Sequence, residues 1–101
     1  MGKVFRMILE IATLQVRPED RAAFETAFPA AALIISSVDG YISHELRRSV
    51  DTENRYVLLV HWKTKEHHTV GFRGSPQYQE WRKLLHHFFA APPAVEHYEL
   101  I

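Results

Sequence analysis

Apolar residues fall in short runs with two sharply apolar faces, separated by stretches in which they recur every three or four positions, and this division predicts strands and helices in turn. Arg55 to Trp62 (RYVLLVHW) is too short for a typical helix and rich in β-branched and aromatic residues, so it predicts a strand. Its faces, Val57, Leu59 and His61 against Tyr56, Leu58, Val60 and Trp62, are both largely apolar, which is the pattern of a central strand covered on each side. Met7 to Val16 (MILEIATLQV) repeats it, with Met7, Leu9, Ile11 and Thr13 opposed to Ile8, Glu10, Ala12, Leu14 and Val16. Glu10 is the exception, and two readings apply: a solvent-facing side chain near a strand edge, or a partly buried carboxylate of raised pKa.

Pro18 opens a helix, with Glu19 and Asp20 in the first turn where acidic groups suit the positive end of the helix dipole. Phe24, Ala27, Phe28, Ala31, Leu33, Ile34 and Ile35 form its inner side, and Pro29 is expected to kink it or split it in two. After Asp39-Gly40, Tyr41 to Val50 alternates as a strand, Ile42, His44 and Leu46 opposite Tyr41, Ser43 and Glu45; a polar turn at 51–54 joins it to the Arg55 strand as a hairpin. Lys65 to Phe72 fits a short helix that stops near Arg73 and Gly74. Ser75 and Pro76 then read as an N-cap and first helical residue, followed by an apolar stripe of Tyr78, Trp81, Leu85 and Phe88. Ala91-Pro92-Pro93 breaks the chain before a last strand, Val95 to Ile101.

The order strand, helix, strand, strand, helix, strand is the split βαβ arrangement of ferredoxin-like α+β domains: a four-stranded antiparallel sheet with both helices on one face. The other face of the central strands would stay bare in a monomer although it carries several apolar side chains, so the pattern predicts a homodimer pairing sheet to sheet. At 101 residues, 47% of them hydrophobic, the whole of 1–101 reads as a single domain.

Composition narrows the function. Twelve basic residues balance twelve acidic ones, so no broad electrostatic footprint points to nucleic acid or to an anionic membrane surface. There is no cysteine, which removes disulfides, thiolate metal sites and a cysteine nucleophile. The polar lead Met1 to Arg6 lacks the apolar core of a signal peptide and no apolar run reaches membrane-spanning length, so the expected location is cytoplasmic. Aromatic and titratable residues concentrate between Arg55 and Phe89, which holds both tryptophans and five of the seven histidines. The adjacent pairs His67-His68 and His86-His87 point about 100° apart on a helix, so neither chelates one ion, and no metal site is expected.

The stretch GYISHELRRSVDTENRYVLLVHW, followed by EHHTVGFRGSPQYQEWRKLL and a closing PPAVEHYE, resembles the antibiotic biosynthesis monooxygenase family of dimeric α+β barrel proteins. The likeness runs from Met7 onward and is most specific at Trp62 and in the run from His68 to Arg73. It implies a ferredoxin-like fold, a homodimer, and a pocket in each subunit between sheet and helices. The family includes cofactor-independent oxygenases of phenolic polyketides and quinols, haem-degrading enzymes and proteins of no known activity, so fold alone does not fix function. The haem-degrading branch relies on an asparagine in the first strand, a tryptophan in the first helical piece and an iron-binding histidine in the second helix. Here the first strand has no asparagine, Phe72 stands near the tryptophan position and Arg82 near the iron ligand, which disfavours that branch.

The favoured branch implies a monooxygenase that uses O2 on a small phenol, hydroquinol or anthrone-like compound with no cofactor. A deprotonated, electron-rich phenol can itself pass an electron to O2, so the protein need supply only a dry aromatic-walled pocket, a base of near-neutral pKa and a donor for the developing oxyanion. Histidine suits the base. His68 is the first choice, ahead of His44 and His61, with Arg73 or Arg82 as the oxyanion partner and Trp62, Phe72, Tyr78 and Trp81 as walls. Each has a plainer reading: Tyr78 and Trp81 as core, Arg82 as a solvated helix charge, His44 as a sheet residue at the dimer interface, and His67 rather than His68 as the inward histidine. The rival functions are a non-catalytic small-molecule-binding protein of the same fold, and an interaction module with no pocket chemistry.

Overall fold

The structure, a computed structural model, describes residues 7–101; the polar lead at 1–6 lies outside the described residues. Strand β1 (Ile8–Gln15) is followed by a single 3-10 turn at Pro18–Asp20 and helix α1 (Arg21–Ser36). The hairpin of β2 (Tyr41–Arg48) and β3 (Arg55–Trp62) leads into a π-helical turn (His67–Phe72), helix α2 (Pro76–Leu85), a 3-10 turn at His86–Phe88, and β4 (Ala94–Glu99). The sheet order is β2-β3-β1-β4 and all pairs are antiparallel, so β1 and β3 are central as their two-sided apolar patterns require. This is the ferredoxin-like α+β fold, with an open sheet in the single chain. Among the described residues no helix is long and apolar enough to cross a membrane.

Helices α1 and α2 cover one face. Phe24, Phe28, Ala31 and Ile35 of α1 and Trp81 and Leu85 of α2 are buried over Ala12, Leu14, Tyr56, Leu58, Val60 and Trp62 of the central strands. Ser75 caps α2 as its sequence suggests, its hydroxyl accepting from Tyr78 N–H at 3.2 Å. The opposite face of the sheet carries Leu9, Ile11, Val57 and Leu59, each only partly covered.

Four details depart from the sequence reading. Of the two outcomes expected at Pro29, the split does not occur: α1 is continuous through it, and it lies on the exposed side, where the helix gives up one backbone hydrogen bond and water can reach the freed carbonyl. Leu33 belongs to the solvent side, 75% exposed, because the inward stripe runs through residues 24, 28, 31 and 35 at helical spacing. In β2 the register slips at Ile42, so Tyr41 opposes Trp62 and His44 opposes Val60; the bulge puts Tyr41 and His44 on the same face instead of opposite ones. Finally, the segment read as a short helix at 65–72 is wound as a π-turn from His67, closed by Arg73 N–H donating to the His68 carbonyl at 3.1 Å.

That turn is seated on Gly40. Its φ of +87° is open to glycine and strained for other residues, and a Cβ there would lie 2.1 Å from Cγ of His67. The ring of His67 therefore lies flat on bare backbone, held by Thr64 Oγ1 at 2.7 Å from Nδ1, while the next residue turns inward.

Candidate active site

The inward residue is His68. It is 4% exposed, its ring stacked on Trp62 with centroids 5.3 Å apart and planes at 17°. The alternation of β1 sends Glu10 to the same place from below, also 4% exposed, on the face that carries Ala12 and Leu14. Trp62 Nε1–H donates to Glu10 Oε1 at 2.9 Å, and His68 Nε2 lies 3.4 Å from that oxygen. The other ring nitrogen, Nδ1, lies 2.8 Å from Nε2 of His97, which β4 holds directly opposite Glu10. Each nitrogen of His68 thus faces a different partner, so the three groups form a chain rather than a chelate; among the described residues no three His, Cys, Asp or Glu side chains converge to hold a metal ion.

Burial dominates the electrostatics. It pushes the Glu10 carboxyl up from 4.5 to about 7, against the smaller opposing pull of the Trp62 hydrogen bond and the Arg73 charge. It pulls His68 down from 6.5 to about 3, with Arg73 and His97 adding to the effect. His97 is lowered too, first by burial, then by Lys65 and Arg73. The 3.4 Å approach of Glu10 and His68 is therefore a contact of a carboxyl with a neutral imidazole, not an ion pair: each environment disfavours the charge its partner would need.

Glu10 and His68 border a cavity of about 120 Å³ between the sheet and the helices. Ala12, Leu14 and Leu58 form its floor, and Phe72, Tyr78, Trp81 and Phe89 its aromatic walls. Phe72 meets both Tyr78 and Trp81 edge-on, at 5.2 and 5.8 Å. Arg73, exposed at the end of the π-turn, stands at the rim, and His86 borders the far side.

Of the residues singled out from sequence, His68, Phe72, Arg73, Tyr78 and Trp81 line this cavity. Tyr78 and Trp81 serve as core and wall at once. Trp62 is fully buried behind Glu10 and His68, touching both without lining the cavity. His44 is not brought to the cavity; it lies beyond Trp62, its Nδ1 2.6 Å from the Tyr41 hydroxyl and its ring 5.9 Å from Phe28. His61 is on the opposite face of the sheet, paired with Leu9 and 3.3 Å from Ser43 Oγ, because β3 alternation sends it away from Trp62. Arg82 points outward over the Tyr78 ring, at 5.9 Å.

Glu10 and His97 complete the site and were not among the chosen candidates. Glu10 carried a signal as the lone charge on an apolar strand face, and the reading as a buried carboxylate of raised pKa is the one that holds. His97 becomes visible only once β4 is set in antiparallel register against β1.

Comparison with known proteins agrees with this architecture. The sequence profile for the antibiotic biosynthesis monooxygenase family matches residues 7–84. The uncharacterised protein YczJ of Bacillus subtilis (strain 168) is 47% identical over 93 residues, covering 92% of this chain and 98% of its own. A crystal structure from Bordetella bronchiseptica, named for the same family, superposes with a TM-score of 0.91 at 40% identity, covering 95% of this chain and 98% of the other. SnoaB of Streptomyces nogalater, a cofactor-independent oxygenase, shares the fold with a TM-score of 0.71 at 20% identity, over 94% of this chain and 91% of its own. With a cavity of aromatic walls behind a ferredoxin-like sheet, and a family match over most of its length, this chain belongs to the antibiotic biosynthesis monooxygenase family.

Proposed function

We propose that the protein is a cofactor-independent monooxygenase that oxidises a small phenol or hydroquinol with O2 and works as a homodimer. The observation that carries this reading is Glu10: a carboxyl buried against an aromatic-walled cavity and poised at about 7, where a general base is most useful at neutral pH. Its two polar contacts, from Trp62 and His68, fall on Oε1, which leaves Oε2 to take a proton from an occupant of the cavity. His68, favoured as the base from sequence, is a weak one with its pKa near 3; in this reading it orients the carboxyl and Glu10 is the base.

The chemistry follows from the phenolate. Glu10 takes the hydroxyl proton, the electron-rich anion passes one electron to O2, and recombination of the two radicals forms a carbon–oxygen bond. Loss of water then gives the quinone, so that phenol and O2 become quinone and water. Arg73 at the rim supplies positive charge for the anionic stages. Size limits the substrate. An apolar cavity of about 150 Å³ holds one benzene ring, so the comparable space here, open at its rim, favours a single-ring occupant over the three fused rings of an anthrone.

Oxygen uptake with phenols, hydroquinones, catechols and anthrones, with no flavin or metal added, tests the reading. Turnover of single-ring substrates is expected, and Glu10→Gln should lower it by roughly 10²-fold or more. Binding of the same compounds without oxygen uptake would instead make this a small-molecule-binding protein.

A further inference from the structure

The Glu10 side chain is almost wholly buried, and its direct way to bulk water is the cavity mouth, which an occupant would block. A chain of ring nitrogens leads the other way. It runs from Glu10 Oε1 to His68 Nε2 at 3.4 Å, then from His68 Nδ1 to His97 Nε2 at 2.8 Å, and ends on the edge strand β4, where His97 is half-exposed. We propose that Glu10 exchanges its proton with solvent through His68 and His97, by a coupled switch of both ring tautomers that leaves neither imidazole charged. This goes deeper into the proposed site and rests on reading Glu10 as its base.

Donor and acceptor rules allow two uncharged-ring states for the chain. With Glu10 ionised, His97 Nε2–H donates to His68 Nδ1, and His68 Nε2–H is directed at Glu10 Oε1, 3.4 Å away beside the Trp62 indole. With Glu10 protonated, a half-turn about Cγ–Cδ brings the protonated oxygen into the place of Oε1, where its O–H is directed at His68 Nε2; His68 Nδ1–H donates to His97 Nε2, and His97 carries its hydrogen on Nδ1. A proton arriving at His97 Nδ1 converts the first state into the second. The His97 Nε2–H bond breaks as His68 Nδ1–H forms, and His68 Nε2–H breaks as Glu10 Oε1–H forms. One proton enters and one is bound at the carboxyl; the reverse releases it.

The surroundings suit uncharged rings. Both histidines are desolvated, Arg73 faces all three groups from the end of the π-turn, and Lys65 adds its charge on the His97 side. Among the described residues, β3 brings the donor Trp62 and apolar Leu58, α1 brings Ile35, and α2 with the turn after it brings the polar or titratable Tyr78 and His86. Among the described residues, no carboxylate other than Glu10 borders the cavity to stabilise an imidazolium.

Nitrogen-15 spectra of the histidine rings, followed between about pH 6 and about pH 8.5 alongside the carboxyl carbon of Glu10, test the switch. As pH rises, the hydrogen should move from Nδ1 to Nε2 on both rings with the same midpoint as the Glu10 carboxyl. In Glu10→Gln both rings should stay Nε2–H throughout, since the oxygen that accepts from Trp62 also accepts from His68. If His68 keeps one tautomer while Glu10 titrates in the wild type, or becomes imidazolium over that range, the relay is wrong and Glu10 exchanges through the cavity mouth. The spectra need no substrate, so their failure leaves the oxygen chemistry standing, and a lack of oxygen uptake leaves the relay standing.

Discussion

Trp62 and Glu10 are diagonal neighbours on adjacent central strands, and the indole N–H of the first donates to Oε1 of the second at 2.9 Å. That bond favours the carboxylate and so holds the carboxyl below the value that burial alone would give.

Trp62→Phe removes the donor but keeps an aromatic ring against His68. The Glu10 midpoint should rise above 7, and the pH at which turnover reaches half its maximum should rise with it. Losing the buried bond should also cost roughly 1–3 kcal/mol. Carbon-13 titration of the carboxyl reads the first effect directly, and an unchanged midpoint would mean that the bond does not tune the acid.

Stability should depend on pH through two opposed groups. The raised Glu10 pKa gives a contribution that is full below 4.5 and lost as pH rises through 7; the lowered His68 pKa gives one that is full above 6.5 and lost as pH falls through 3. Between 4.5 and 6.5 their slopes oppose each other. Glu10→Gln should therefore unmask a rise in stability with pH up to 6.5, and at pH 8 it should exceed the wild type by up to about 3 kcal/mol. Urea unfolding at a series of pH values measures both, and a variant no more stable than wild type at pH 8 would refute the burial of an ionised Glu10.

The half-covered face of the sheet is where a second copy is expected to pack. Light scattering at micromolar concentration should give about twice the chain mass, and Leu59→Glu, in the middle of that face beside Ile11, should give monomer or fail to fold, because a charge buried there without a partner costs several kcal/mol. A wild-type monomer would sink the dimer.

Gly40→Ala should destabilise twice over. The left-handed backbone costs roughly 1–3 kcal/mol for a residue with a Cβ, and the new methyl strikes the His67 ring. The clash also displaces the turn that carries His68, so turnover should fall along with the melting temperature. Gly40→Ala combined with His67→Gly removes all three atoms that the methyl meets and keeps the strain, and should recover part of the loss; a double variant worse than the single one would show that His67 is not what the methyl meets.

Much of this was legible in the sequence. The two-sided apolar runs at β1 and β3 identified the central strands, and the Ser75-Pro76 start identified α2, because these are local rules that tertiary packing reinforces. The site was half legible: the inward turn of His68 and the walls from Phe72 to Trp81 follow from short-range spacing. What stayed hidden depends on register. His97 is 29 residues from His68 and meets Glu10 only through the β1–β4 pairing, while the bulge at Ile42 decides the facing of Tyr41 and His44. His61 misled because a strand's last residues are near its end in sequence yet on opposite faces in space.

In β1 and β3 alike, the residues that face the helices carry even numbers and those that face away carry odd ones. A genetic screen over the two strands would therefore read out by parity. Lesions at 10, 12, 58 or 62 would be sorted by chemistry and core, lesions at 9, 11, 57 or 59 by the open face, and a one-residue insertion in either strand would exchange the two phenotypes from that point to the strand's end.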